Sequence, residues 1–212
     1  MRHHSLVVSL VSLLAGCAAS TPSGPAAPGG YPAGQWRSLT PEQIAPAIPA
    51  NALLEPISGR VRSIGTEEIV AEIVLANAST APGTNQITLA VDMVSPYTRS
   101  RKRTPATASY EIDPAQRLEL LGTHFPDDVQ AGAAQTRAVP GGTIGLLPAN
   151  YPDGSACVLA WQEVEPADQR WQPEPSRIFK TMRVCAPALE LDPLLRSFAD
   201  LDVYRIVHAG GA

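Results

Sequence analysis

The stretch EEIVAEIVLAN, Glu67 to Asn77, places Ile69, Ala71, Ile73 and Leu75 on one side and Glu68 and Glu72 on the other. A period of two sends successive side chains to opposite faces of a strand. The run QITLAVDMV, Gln86 to Val94, repeats the pattern with Ile87, Leu89, Val91 and Met93 against Thr88 and Asp92. Between them ASTAPGTN holds the breakers of a turn, so the pair reads as an antiparallel hairpin with one buried face. The connection is too long to fix the register. GRVRSI, Gly59 to Ile64, is a candidate further strand.

The last third of the chain reads the same way. SACVLAWQEV and RIFKTMRVCA are strand-like, separated by the proline-rich EPADQRWQPEP. If Val164 pairs with Ile178, Ala160 opposes Met182 and Cys157 opposes Cys185 without a bulge. That register predicts a Cys157–Cys185 disulfide across the hairpin, worth roughly 3–4 kcal/mol in the chain-entropy model. Trp161, mid-strand, is expected in the core. Trp171, at the hairpin tip, is the contact candidate, because its apolar ring can stack on a sugar.

Two helices are expected. In EIDPAQRLELLGTHFP, Asp113 caps, Pro114 takes the first helical position, and Gly122 ends the run, with Leu118 and Leu121 toward the sheet. Asp192-Pro193 opens the second, running to about Leu201. RAVPGGTIGLLP is expected as a loop with a short strand, and DVYRIVHA as a returning strand. The fold class is α+β: a mainly antiparallel sheet of β-hairpins with two short helices and one disulfide.

The N-terminus speaks to location. Ten residues from Ser5 to Leu14 are apolar but for three serines, roughly 15 Å of helix and half a bilayer core. This suits a secretory signal. Leu14-Ala15-Gly16-Cys17 is similar to a bacterial lipobox, in which the thiolate of Cys17 takes a diacylglycerol, cleavage precedes it, and a palmitate-type acyl chain can follow on its amine. Residues 1–16 are then a lipoprotein signal peptide. Residues 17–49 carry the lipidated cysteine and a disordered Pro/Gly/Ala-rich tether, with seven prolines and four glycines from Ala18 to Pro49. Residues 50–212 form a single globular domain. The membrane partner is met through lipid on Cys17. Ala18 and Ala19 after the cysteine resemble a sorting signal for the outer membrane, facing the periplasm. Export also admits the disulfide.

Motifs for chemistry are sparse. The formal net charge is −4, and one unit more negative once Arg2 leaves with the signal, which argues against nucleic acid as partner. Past the signal the histidines are His124 and His208, and no metal-ligand spacing, phosphate loop or nucleophile elbow is present. No catalytic residue, metal or cofactor is assigned. His124 with Asp127 and Asp128 is the nearest approach to a catalytic cluster, and a polar turn after a helix explains it better. Arg99, Arg101, Lys102 and Arg103 form a basic run suited to lipid phosphates or an acidic partner. A solvated loop is the plainer account.

Two stretches together carry a family resemblance. EIVLANASTAPGTNQITL, and GSACVLAWQEV followed by TMRVCAP, are similar to the BcsN-type cellulose-biosynthesis accessory proteins of alphaproteobacteria. In that family an IVLxN…PGxN hairpin precedes a CxYAWQ strand and an RxC strand. Leu159 stands here for the tyrosine, while FPDD and VPGGTIGLLP stand where the family has FP and a Gly-Pro-rich loop. The likeness spans about residues 69–201, and its motifs mark strands, turns and cysteines, not chemistry. It implies a non-enzymatic envelope lipoprotein assisting cellulose or other exopolysaccharide production or export in biofilm, with protein partners in an envelope assembly and polysaccharide contact. Two alternatives remain open: a lipoprotein of another secretion, pilus or adhesion assembly, and a periplasmic polysaccharide hydrolase.

Overall fold

A computed structural model describes residues 34–65, 67–93, 124–125, 129–164, 168–171 and 175–209. Cys17, the basic run 99–103 and the expected helix from Asp113 lie outside the described residues. The strands are β1 (Arg37–Leu39), β2 (Pro56–Ile64), β3 (Glu68–Leu75), β4 (Gln86–Asp92), β5 (Gln130–Ala131), β6 (Gln135–Val139), β7 (Gly142–Asn150), β8 (Ala156–Val164) and β9 (Arg177–Ala186). The helices are α1 (Pro41–Ile44), α2 (Leu191–Ala199) and α3 (Val203–His208). All nine strands join one antiparallel sheet ordered β1-β2-β3-β4-β9-β8-β7-β5, with β6 also on β7. The α+β class stands.

The β3–β4 hairpin pairs Ile69 with Val91, Ala71 with Leu89 and Ile73 with Ile87, so the alternating apolar residues share one face. That face packs under the helices in a core that includes Leu194, Phe198, Ile206 and Val207. A second apolar cluster on the opposite face joins Phe125, Leu147, Tyr151, Leu159 and Trp161 to the two cysteines. β8 is therefore covered on both sides, which is why CVLAW is a continuous apolar run and not an alternation.

β8 and β9 pair as the register argument requires: Val164 with Ile178, Ala160 with Met182, Cys157 with Cys185. The cysteines form a disulfide over a sequence separation of 28. Beside it, the buried Asn85 continues the β4 edge with its side chain. Its Nδ2 donates to the carbonyls of Ala76 (3.1 Å) and Cys185 (2.9 Å), and its Oδ1 accepts from the Cys185 N–H (2.8 Å). One amide thus satisfies both main-chain groups of a disulfide cysteine.

Three expectations are corrected. DVYRIVHA is helix α3: Val203, Ile206 and Val207 are buried at helical spacing, and the Asp202 side chain accepts from the Arg205 N–H (3.0 Å) as N-cap. RAVPGGTIGLLP is the β6–β7 hairpin, turning at Pro140-Gly141, where Gly141 has φ +83°. Pro148 fits inside β7 because its carbonyl, which accepts from Gly132 (2.8 Å), points to the outer edge where β5 gives way to β6. Its missing N–H falls on that interrupted edge.

The tether is expected to run to residue 49, but Gly34 to Pro49 belong to the folded domain. Leu39, Ile44 and Ala47 are buried in the main core. Pro41 opens α1 after a Thr40 capping box with Gln43, and Pro46 lies in a 3₁₀ turn, so the prolines start structure here. Contacts with the C-terminal helix hold the segment: Arg37 Nη2 donates to the Ala209 carbonyl, Arg205 Nη1 to Pro46 (3.1 Å), and the Asp202 N–H to Ala47 (2.9 Å).

Replacing both disulfide cysteines by serine is expected to lower unfolding stability by about 2–4 kcal/mol. Denaturant titration of wild type with and without reductant checks this, since the variant should not respond to reductant. Asn85→Ala, which strands the Cys185 N–H and carbonyl in a buried place, should cost about 2–4 kcal/mol in the same titration.

Candidate functional site

β9 lies mid-sheet and carries two buried cations pointing opposite ways. Lys180 shares parity with Ile178, Met182 and Val184 and enters the helix-covered core at 1% exposure. Its Nζ donates to the carbonyls of Phe198 (3.1 Å) and Ala199 (2.8 Å), the open C-terminal end of α2. Burial lowers its pKa from 10.5 to about 8, with the nearby charge of Asp200 acting the other way.

Above Lys180 a cleft of about 370 Å³ is lined by Trp171, Tyr204, Asp168, Arg170 and Asp202 among others. Arg170 bridges Asp168 and Asp202, with Nη2 2.9 Å from Asp202 Oδ1. Hydrogen bonds from Arg170 hold the Asp168 carboxyl below its ordinary range, and both carboxylates raise the Arg170 pKa in turn. Arg170 also covers one side of the Tyr204 ring (4.6 Å), and His208 stacks on that ring at 4.2 Å. The rim is thus an ion triad over stacked rings.

Trp171 does not stand at an exposed tip. It is buried, edge-on to Tyr204 (5.1 Å) and His208 (5.3 Å), because α3 lies where a returning strand was expected and gives the ring an apolar bed. The exposed-tip placement from which that contact role was drawn is corrected: the ring lines the cleft over Lys180 instead. Trp161 is in the core, as expected.

On the other face Arg183 is 2% exposed. Its Nη2 donates to the Pro82 carbonyl, its guanidinium lies 5.4 Å from the Phe125 ring, and Tyr151 bonds to it. Burial lowers its pKa, and the Tyr151 contact opposes that shift. Gly83, at φ +90°, lets the loop sit on this cation: a Cβ there would lie 3.0 Å from Nη2. His124 is pushed toward its neutral form by burial first and by the Arg183 charge second. Asp127 and Asp128, its supposed companions, lie outside the described residues.

The disulfide is where the register put it. Cys17, Arg99, Arg101, Lys102 and Arg103 lie outside the described residues. Local pattern does not single out Lys180 and Arg183, although Lys180 falls at inward parity in RIFKTMRVC, and a charge there marks a buried or paired group. Among the described residues no group of three or more His, Cys, Asp or Glu is placed to hold a metal, and no helix is long and apolar enough to cross a membrane. No protein-family model matches the chain, and no match was found to a curated protein or a solved structure.

Lys180 releases its proton more readily folded than unfolded. Its burial penalty is therefore fully present below about pH 8 and is relieved as pH rises toward 10.5. Stability of wild type relative to Lys180→Met should climb by on the order of 3 kcal/mol across that window. Denaturant midpoints of both proteins between pH 7 and 10.5 check the sign and size.

Proposed function

We propose that the chain is an envelope lipoprotein, anchored through lipid on Cys17, that acts without catalysis in the synthesis or export of an exopolysaccharide, cellulose first among them. The observation that carries the reading is the Cys157–Cys185 disulfide, locked between neighbouring strands of the central sheet. Such a bond forms and persists in an oxidising compartment. It agrees with an export signal whose last motif, Leu14-Ala15-Gly16-Cys17, ends on the acceptor cysteine. The cellulose assignment draws its support from the resemblance of the two β-hairpins to the BcsN-type accessory proteins. The outer membrane, on its periplasmic side, is the proposed location.

In a cellulose-producing strain lacking the gene, cell-bound, cellulase-sensitive glucan should fall. Wild type should restore it, and Cys17→Ala should not. Unchanged glucan in the deletion strain would remove cellulose from the proposal and favour another secretion, pilus or adhesion assembly.

A further inference from the structure

We propose that the β1–β2 edge of the sheet is a bilayer-facing surface that seats in the phospholipid headgroup layer, so that the domain lies against the membrane and does not hang free on its tether. This rests on the lipoprotein reading for how the domain is brought there, not for the chemistry of the surface.

Three observations converge on this edge. The first is apolar exposure. The two large hydrophobic side chains left exposed among the described residues are Ile57, at 54%, and Ile64, at 40%, and both belong to β2. Scattered exposed apolar residues are ordinary, but these two share their strand with a pair of arginines set against a tryptophan.

The second is that aromatic-cation group. The Trp36 ring has the guanidinium of Arg60 at 4.3 Å and that of Arg62 at 4.4 Å. Arg60, Arg62 and Ile64 alternate along β2 in unbroken register with β3, so they share one face. Of the three tryptophans, Trp161 and Trp171 are buried, and Trp36 alone keeps partial exposure. An amphipathic ring beside arginines and an exposed isoleucine matches the headgroup region, where Trp settles and guanidinium bonds phosphate in fork geometry. Glu72 pairs with Arg60 at 2.5 Å, and Glu68 faces Ile64 from β3. The edge is therefore not strongly cationic, and the occupant it fits is a phosphate-bearing, interfacial lipid layer in general, not an anionic polymer.

The third is where the remaining chain ends. The Gly34 N–H donates to the Ser63 carbonyl at 2.7 Å, so Gly34, the first described residue, lies directly beside Ile64. Between Cys17 and Gly34 stand residues 18–33. Even at full extension a segment of that length reaches at most roughly 55 Å. A domain held that close to a surface meets it at an effective concentration in the millimolar range, so a weak intrinsic affinity is enough to seat it. The edge nearest the anchor is the one bearing Trp36, Arg60, Arg62 and Ile64.

The test reconstitutes the full chain, as isolated from cell membranes, into phosphatidylcholine–phosphatidylglycerol vesicles with brominated acyl chains. Mass spectrometry of the same sample records whether Cys17 carries lipid. Bromine quenches tryptophan only at contact range, so Trp36 reports and the two buried rings do not. The expected result is strong quenching that is lost in Arg62→Glu/Ile64→Glu at unchanged lipidation and unchanged melting temperature. Arg62→Gln alone, a milder variant, should lose part of it. Absence of quenching in wild type with lipid on Cys17 overturns the proposal, as does quenching that the double variant retains. A blue shift that grows with protein concentration and ignores vesicles overturns it too, marking the edge as a self-association surface. If Cys17 proves unlipidated, the lipoprotein reading fails separately, and quenching of the same chain by added vesicles still decides the surface.

Discussion

The ladder between β4 and β9 holds the molecule together. Seven register pairs, from Gln86–Arg183 to Asp92–Arg177, splice the meander β1–β4 onto the meander β7–β9. Each pair bridges more than eighty residues of chain, so it forms only after a long loop has been closed. β8 and β9 are local partners, and their disulfide fixes β9 in one register. Asn85 then ties the entry of β4 to the disulfide itself, through both main-chain groups of Cys185. The long-range splice and the covalent lock meet at one residue.

From Met182 to Ala186, β9 has no solvent face, and its buried polar side chains must find partners inside. Lys180 and Arg183 find main-chain carbonyls. Lys180 closes the C-terminus of α2 and so fastens the helical layer to the middle of the sheet. Arg183 draws the β3–β4 loop, through Pro82, over the opposite face. Burial disfavours both charges, and carbonyl hydrogen bonds offset part of the cost. The two cations therefore work as fasteners between layers: one holds the helices, the other the loops.

Legibility in the sequence depends on range. The β3–β4 hairpin is readable because one face is buried and one is not, and the β8–β9 register because two cysteines leave a single bulge-free pairing. Elements held by distant contacts are harder. Gly34 to Pro49 has linker composition, and its order comes from Leu39, Ile44 and Ala47 meeting a helix at the far end of the chain. α3 reads as a strand because VYRIV is rich in β-formers, but Val203, Ile206 and Val207 keep helical spacing, and Arg205 falls outside the apolar stripe. Trp171 is misplaced with it, since its bed is α3. In the cleft, the Arg170–Asp202 bridge joins residues 32 apart, a link no local pattern announces.

The strand order also fixes how the domain takes a load. Any pull on the residues ahead of Gly34 enters through β1, which holds the sheet by three register pairs, and through the Arg37–Ala209 contact beneath it. β9 and its disulfide lie four strands further in. Tension would therefore peel β1 and α1 from the core while the central hairpin stayed closed. The disulfide also withholds the chain between its cysteines from extension, roughly 95 Å of contour at full stretch. The fold thus resembles a mechanical element with a soft coupling at its N-terminal edge and an inextensible centre.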